Sequence, residues 1–213
     1  MLYNLVMDKY ILDTNIFFNM EEGIGLGEKT EDVVRNITQI KNAEFYMPPR
    51  IVDEFLSFFP DKNQAFIKDF LSKIIIQSPD VGRVNLPAQI FYQIIEDMRL
   101  RSYKGLRIGE EEINTAGKTM VGQANLEKKD FEIKIGRSIK GFRDRYRQAT
   151  RYGFLDSLAD LDLIMLTKEL NGFLVSTDSG VMNWGRVFGI KEKPCAVFGE
   201  EMRHFLGSPL RQG

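Results

Sequence analysis

Four aspartates stand where strands or helices can direct their carboxylates towards one point. Two of them follow short apolar runs and two lie four residues apart: Asp13, Asp178, Asp156 and Asp160. Carboxylates gathered without matching cations repel one another, so such a cluster is typical of a site for a hard divalent metal ion. Oxygen ligands favour Mg²⁺ or Mn²⁺ over zinc, and such ions can activate water for phosphodiester cleavage. The predicted chemistry is therefore metal-assisted hydrolysis of a phosphodiester.

The spacing of Asp156 and Asp160 predicts that both side chains project from one face of a helix. On a helix beginning at Asp156 they are about 40° apart, whereas Asp162 lies about 200° from Asp160 and is predicted to miss the cluster. Capping is an open alternative, since Asp156 and Asp178 could each cap a helix N-terminus. A mid-helix Asp160 beside a like charge and a buried Asp13 would each cost stability, which favours a shared metal site.

A fifth carboxylate, Glu54, is a further candidate metal ligand because it begins a helix after the second predicted strand. Its neighbour Asp53 is predicted to face solvent. Cys195 is the only cysteine and His204 the only histidine, which excludes disulfides and thiolate zinc clusters and argues against a Ser-His-Asp triad. If the protein is an enzyme, carboxylates and a metal must carry the reaction.

The 213 residues, 43% of them hydrophobic, fit one domain with a large insertion. No apolar stretch approaches the length of a membrane span, and the first residues lack the basic region of a signal peptide. We therefore expect a cytoplasmic protein.

The charge is distributed unevenly along the chain. Between Arg99 and Arg151 there are 14 Lys or Arg residues and 7 Asp or Glu residues, although the net charge of the whole chain is −1. Arg143 and Arg147 are four apart and form one basic stripe, which suits a nucleic-acid backbone. A solvated helix face is the alternative. Further candidates for RNA binding in the same run are Arg137, Lys140, Arg145 and Arg151.

Strands that alternate with helices predict an α/β fold with a three-layer arrangement around a parallel sheet. The predicted strands are Lys9–Asp13, Ala43–Met47, Phe173–Ser176 and Cys195–Phe198. Sites in such sheets form beyond the carboxyl ends of the strands, where Asp13 and Asp178 are expected.

Residues 87–151 are predicted to form an inserted helical hairpin, and residues 1–86 and 152–213 the nuclease-like domain. The predicted helices run from about Pro87 to Thr115 and from Leu126 to Arg151, with a glycine-rich break between them. The apolar positions are predicted to form one seam, which either only holds the hairpin together or also supports self-association. They are Phe91, Ile94, Ile95, Met98, Ile135, Ile139, Phe142 and Tyr146.

Several short motifs resemble those of the PIN-domain nucleases. They are Ile11-Leu-Asp13-Thr-Asn, the proline-led segment ending at Glu54, Asp156-x3-Asp160 and Ser176-Thr-Asp178. A second set, with the long helical insertion, resembles the minimal RNA-free ribonuclease P family called HARP, some members of which were labelled RNA ligase partner proteins. That set is Ala43-Glu-Phe-Tyr-Met-Pro48, Lys104-Gly-Leu-Arg-Ile108, Leu155-Asp-Ser-x-x-Asp160 and Leu174-Val-Ser-x-Asp178.

The resemblance covers about Lys9 to Phe198 and implies a PIN-like fold with a protruding hairpin. It implies removal of the 5′ leader from precursor tRNA with Mg²⁺ or Mn²⁺, and a dodecamer-like homo-oligomer assembled through the hairpins. By resemblance, the metal carboxylates are the four aspartates, and Arg143 and Arg147 hold the substrate. Two alternatives stay open from the residues: a toxin-like PIN ribonuclease acting on another RNA, and an RNA-binding partner of another RNA-processing enzyme.

Overall fold

The computed structural model describes residues 7–19, 24–122, 127–155 and 157–207. Asp156 therefore lies outside the described residues. The chain divides into two compact units, one formed by Met1–Leu86 with Leu155–Gly213 and the other by Pro87–Phe154. Among the described helices none is both long and apolar enough to cross a membrane.

The first unit is built on a parallel five-stranded sheet with the order β3-β2-β1-β4-β5. Its strands are β1 (Asp8–Leu12), β2 (Ala43–Met47), β3 (Ile75–Ile76), β4 (Phe173–Val175) and β5 (Lys191–Glu192). The central strand β1 is buried from Tyr10 to Leu12, and Ile11 lies between Tyr46 of β2 and Leu174 of β4. The predicted α/β fold with a parallel sheet is confirmed.

A short 3₁₀ turn, Thr14–Phe17, follows β1 directly. The described helices are α1 (Thr30–Gln39), α2 (Pro49–Ser57), α3 (Ala65–Lys73), α4 (Gln89–Met120), α5 (Lys128–Thr150), α6 (Leu158–Leu170), α7 (Ser179–Val187) and α8 (Cys195–Phe205). In the first unit α1 packs on α3, while α6 packs on α7 and β1. Because parallel crossovers are right-handed, this strand order places the α1/α3 pair and the α6/α7 pair on opposite faces of the sheet.

One predicted strand is wrong, and the two edge strands of the sheet were not predicted. Cys195–Phe198 begins a helix rather than forming a strand, and the edge strand is the two-residue β5, which pairs with β4. Pro194 as the N-cap explains the error, since proline is well tolerated where a helix starts. The other edge strand, β3, was missed because two residues are too few to show a period of two.

The helix α6 begins at Leu158, two residues later than predicted. Ser157 is the N-cap, and its Oγ accepts hydrogen bonds from the backbone N–H groups of Ala159 and Asp160. The angle predicted between Asp156 and Asp160 assumed a helix that started at Asp156, so it does not apply. At its other end α6 stops at Asn171, which is in the left-handed conformation with φ of 50°.

The second unit consists of α4 and α5, which pack against each other along the hairpin. The helix α4 continues through Gly117 to Met120, beyond its predicted end. Close packing is made possible by Gly105, where a Cβ atom would lie 2.6 Å from the ring of Tyr146. A larger residue there would have to displace the ring of Tyr146.

The single apolar seam predicted for the hairpin is divided in the structure. Ile94, Ile135 and Phe142 are partly buried, whereas the side chains of Phe91 and Ile95 are more than half exposed. The remaining predicted members Met98, Ile139 and Tyr146 are also exposed. The hairpin therefore has an apolar surface outside its helix–helix contact.

Candidate active site

The candidate site lies at the carboxyl end of the sheet, where three neighbouring strands end. Asp13 follows β1, and its backbone N–H continues the ladder by donating to Val175 O of β4 at 3.0 Å. Residues 176–178 follow β4, and Glu54 lies on α2, the helix that follows β2. Since the carboxyl ends of adjacent parallel strands meet at one edge, three separate parts of the chain contribute to one site.

Asp13 is buried, with 5% of its surface exposed. Its Oδ2 accepts hydrogen bonds from Ser176 Oγ at 2.5 Å and from Asn15 Nδ2 at 2.8 Å. The pKa of Asp13 is raised to about 7, mainly by burial and also by the charges of Asp160 and Glu54, while the Ser176 hydrogen bond opposes the shift. Asp160 and Glu54 therefore each lie within electrostatic reach of Asp13.

Asp178 is the N-cap of α7. Its Oδ1 accepts hydrogen bonds from the N–H groups of Gly180 and Val181 at 2.6 and 3.0 Å. Both capping bonds use Oδ1, which leaves Oδ2 for another ligand. Ser176 links Asp178 to Asp13 through two hydrogen bonds. Its Oγ accepts one from the Asp178 N–H at 2.9 Å and donates one to the Asp13 carboxylate.

Asp160 lies in the first turn of α6, three residues after the N-cap, and is partly buried. The sequence predicted it in mid-helix, where a like charge would destabilise the helix. A carboxylate in the first turn is instead favoured by the helix dipole. The position of Asp160 in the helix is therefore no argument for a bound metal ion. The stronger argument is that the charge of Asp160 raises the pKa of Asp13.

The two acidic residues that the sequence excluded from the cluster lie elsewhere. Asp162 forms an ion pair with Arg50 of α2, so it has a structural partner. Asp53 is exposed to solvent. Glu54 is also exposed, and it lines a cleft that opens beside Asp13.

The chemistry of these donors, rather than their spacing among the described residues, fits a hard divalent cation. Among the described residues, which leave out Asp156, no three Asp, Glu, His or Cys side chains are close enough to hold a metal ion. The charges of Asp160 and Glu54 nevertheless disfavour ionisation of Asp13, and a bound cation would relieve that repulsion. Asp13, Asp160, Asp178 and Glu54 offer only oxygen ligands, the type that Mg²⁺ and Mn²⁺ prefer.

Sequence reasoning missed the residues that orient these carboxylates. Asn15 donates to Asp13 and to Ser176 Oγ, and its Oδ1 accepts a hydrogen bond from the Thr177 N–H at 2.9 Å. This amide therefore joins the end of β1 to the end of β4. The signal was available, because Asn15 and Ser176 each lie two residues from an aspartate that follows an apolar strand.

In the second unit, the basic residues of α5 lie on two different sides of the helix. Arg137, Lys140, Arg147 and Arg151 lie within about 120° of Arg143, taking 100° per residue. Of these residues, four are exposed and form no ion pair with another described residue: Arg137, Lys140, Arg143 and Arg147.

Arg145 lies on the opposite side of α5, about 200° from Arg143. It forms ion pairs with Glu111 and Glu112 of α4 at 2.5 and 2.7 Å. These pairs raise its pKa and lower that of Glu111. Arg145 therefore links the two helices of the hairpin, unlike the exposed basic residues around Arg143, which we call the exposed basic face of α5.

The fold is that of a PIN-domain nuclease, and comparison with known proteins agrees. The sequence profile of the PINc domain ribonuclease family matches residues 9–207. A protein from Thermodesulfovibrio yellowstonii named RNA-free ribonuclease P is 36% identical over 206 residues, covering 95% of each chain. A protein with the same name from Pyrococcus horikoshii is 34% identical over 205 residues, covering 94% of each chain. Another from Haloarcula marismortui is 30% identical over 211 residues, covering 94% of this chain and 92% of the relative.

Within the PIN-domain ribonucleases, the chain belongs to the RNA-free ribonuclease P family. The resemblance seen in the sequence motifs is thereby confirmed, as is the expected class of enzyme, an endoribonuclease.

Proposed function

We propose that this protein removes the 5′ leader from precursor tRNA by metal-dependent hydrolysis, which leaves a 5′-phosphate on the mature tRNA. The observation that carries the proposal is the buried Asp13, oriented by Ser176 and Asn15 and within electrostatic reach of two other carboxylates. Full-length similarity to proteins named RNA-free ribonuclease P supports the choice of substrate.

In this proposal the metal ligands are Asp13, Asp156, Asp160 and Asp178, with Glu54 as a further ligand. Mg²⁺ or Mn²⁺ would supply charge stabilisation and an activated water when bound. The residues of the chain fix the ligands in place: Ser176 and Asn15 hold one oxygen of Asp13, and the α7 cap holds Asp178. We place the reaction in the cytoplasm.

A pair of substrates separates this function from its alternatives. One is a precursor tRNA, and the other is the same leader joined to an unstructured RNA of equal length. We expect one cut at the leader–tRNA junction in the first and no defined cut in the second. Equal cleavage of both would favour a toxin-like ribonuclease, and binding without any cleavage would favour a partner protein of another enzyme.

The exposed basic face of α5 is proposed to bind phosphates of the RNA through Arg143 and Arg147, with Arg137, Lys140 and Arg151 as further RNA-binding residues. Replacing both Arg143 and Arg147 with alanine should weaken binding of precursor tRNA. It should also reduce the slope of log affinity against log salt concentration by about 0.7–0.9 for each phosphate that is no longer neutralised. Binding isotherms at four or more salt concentrations measure both effects.

Arg145→Ala is the matched control, because it removes the same charge from the same helix on the side that faces α4. We expect it to lower the melting temperature and to leave the salt slope nearly unchanged. If the slope falls equally in Arg145→Ala and in either single variant, RNA is not bound through one face of α5. Arg145 was itself a candidate for RNA binding, and this comparison tests that assignment.

Self-association is proposed to use the exposed apolar surface of the hairpin and to give a dodecamer-like assembly. Five residues of α4 project within about 80° of one another and are each more than half exposed. We call them the outer stripe: Phe91, Ile95, Met98, Leu106 and Ile113. An exposed apolar surface of this kind usually marks an interface.

An apolar groove lies on the same hairpin. It has a volume of about 220 Å³, and its lining includes Ile113, Ile135, Ile139 and Phe142. A side chain from a second copy of the chain could fill this groove, which supports the hairpin as the place of assembly.

A further inference from the structure

Two phenylalanines form a partly exposed stack next to the acidic edge of the sheet. The rings of Phe18 and Phe58 have centroids 4.2 Å apart and an angle of 25° between their planes. Phe18 also contacts Phe55 and Phe59, with centroid distances of 5.9 and 5.8 Å, and Phe55 is fully buried. The ring of Phe18 therefore packs against the core, whereas 53% of the surface of Phe58 is exposed.

This stack forms one wall of a cleft that opens beside the candidate metal ligands. The cleft has a volume of about 310 Å³ and is lined by Thr14, Asn15, Phe18, Asn19, Glu54 and Phe58. Asn15 donates a hydrogen bond to Asp13, and the charge of Glu54 raises the pKa of Asp13. Whatever occupies the cleft therefore lies next to the proposed reaction centre.

The chemistry of the lining selects among possible occupants. None of the described residues that line the cleft is basic, and Glu54 would repel a phosphate group held there without a cation. An aromatic face bordered by the carboxamide of Asn19 instead suits a flat heterocycle that has polar edges. A nucleobase meets both requirements, provided that it is unpaired and free to stack.

We propose that the Phe18–Phe58 stack binds an unpaired base of the 5′ leader adjacent to the cut. This inference rests on the proposed function, because it takes the substrate to be precursor tRNA. At the junction the tRNA side begins a duplex, whose bases are already stacked, so the leader supplies the free base. Stacking on Phe58 would fix the path of the leader and help to place the scissile phosphate at Asp13.

The test uses full-length protein and precursor tRNA with the fluorescent base 2-aminopurine at each of the three leader positions nearest the cut. Fluorescence is read in EDTA, so that binding is measured without cleavage. The variants are Phe58→Leu, which keeps apolar volume without a ring, and Phe58→Trp, which keeps a stacking face. Val197→Ala is the control, since Val197 is similarly exposed but does not line the cleft.

We expect wild type, Phe58→Trp and Val197→Ala to quench 2-aminopurine at one leader position, and Phe58→Leu to leave it unquenched. An abasic nucleotide at that position should weaken binding to wild type by roughly 5- to 150-fold, the range for one base stacked on one aromatic ring. The same abasic substrate should bind Phe58→Leu no more weakly than the intact substrate does.

The inference would be overturned by the absence of quenching at all three positions, by equal quenching with Phe58→Leu, or by independent effects of the variant and the abasic site. A change in oligomeric mass in Phe58→Leu would also overturn it, because the stack would then be a protein–protein contact. Thermal melts establish that the variants are folded. The proposed function fails separately, if wild type does not cut precursor tRNA in Mg²⁺, and the fluorescence result stands in either case.

Discussion

Asp13→Asn is expected to abolish cleavage of precursor tRNA while leaving RNA binding intact. The amide keeps the shape of the side chain but removes the charge that a hard cation requires. We expect the single-turnover rate to fall by more than about 100-fold, the upper end of the loss seen when only an outer partner of a metal ligand is removed. Near-normal turnover at saturating Mg²⁺ would remove Asp13 from the metal site.

The same substitution should stabilise the metal-free protein at high pH. The pKa of Asp13 is raised from 3.8 to about 7 in the folded chain. Between those values the folded state binds more protons than the unfolded state, so stability falls as the pH rises through this window. The effect of this one group reaches about 4 kcal/mol above pH 7, and asparagine lacks it.

Denaturant unfolding in EDTA at pH 4 and pH 8 measures this effect. The free energy of unfolding of Asp13→Asn minus that of wild type should be larger at pH 8 than at pH 4. Mg²⁺ at pH 8 should stabilise wild type much more than the variant, since only wild type gains from binding. A difference that does not change with pH would mean that Asp13 is not held protonated by its surroundings.

Asp162→Asn is the internal control for both experiments. Asp162 lies on the same helix as Asp160 but pairs with Arg50. We expect its loss to lower stability, because the ion pair is removed, and to leave the cleavage rate within a few-fold of wild type. A loss of cleavage comparable to that of Asp13→Asn would show that the site reaches further along α6 than proposed.

Charges on the outer stripe of α4 are expected to dissociate the assembly. In Ile95→Glu combined with Leu106→Glu, two carboxylates replace apolar side chains that an interface would bury without partners, which is strongly unfavourable. Light scattering should give a smaller, folded particle than wild type. We expect this particle to lose accurate leader removal, because a cut placed by distance needs a second contact on the tRNA body.

Leu100→Glu provides the matched control, since Leu100 is equally apolar and more than half exposed on the same helix. It lies about 180° from Phe91, on the side away from the outer stripe. It should keep the parent oligomeric mass. If the stripe variant also keeps that mass, assembly does not run through this face of α4.

Strands with strong apolar runs could be predicted from the sequence, and short or irregular elements could not. The sequence placed β1, β2 and β4 to within two residues, because each apolar run ends at a polar residue or at a proline. The edge strands β3 and β5 are fixed mainly by pairing with their neighbours, which no local pattern records.

Part of the candidate site could be predicted in the same way. Asp13 and Asp178 follow buried strands, so the end of the sheet brings them together. The position of Asp160 in α6 depends on where the helix begins. Ser157 is the N-cap, but the nearby aspartates are equally suitable N-cap residues, so the sequence does not identify the start of the helix. The hydrogen bonds of Asn15 link residues more than 160 positions apart, and only the folded sheet brings these residues together.

The most direct test of the account is cleavage of 5′-labelled precursor tRNA by the purified protein, with Mg²⁺ and with excess EDTA. Sequencing of the product ends locates the cut and identifies the terminal groups. We predict one cut, at the junction between leader and tRNA, that requires the divalent ion and leaves a 5′-phosphate on the tRNA. Cleavage that persists in EDTA, or that occurs only at other positions, would contradict a metal-dependent ribonuclease P built on Asp13.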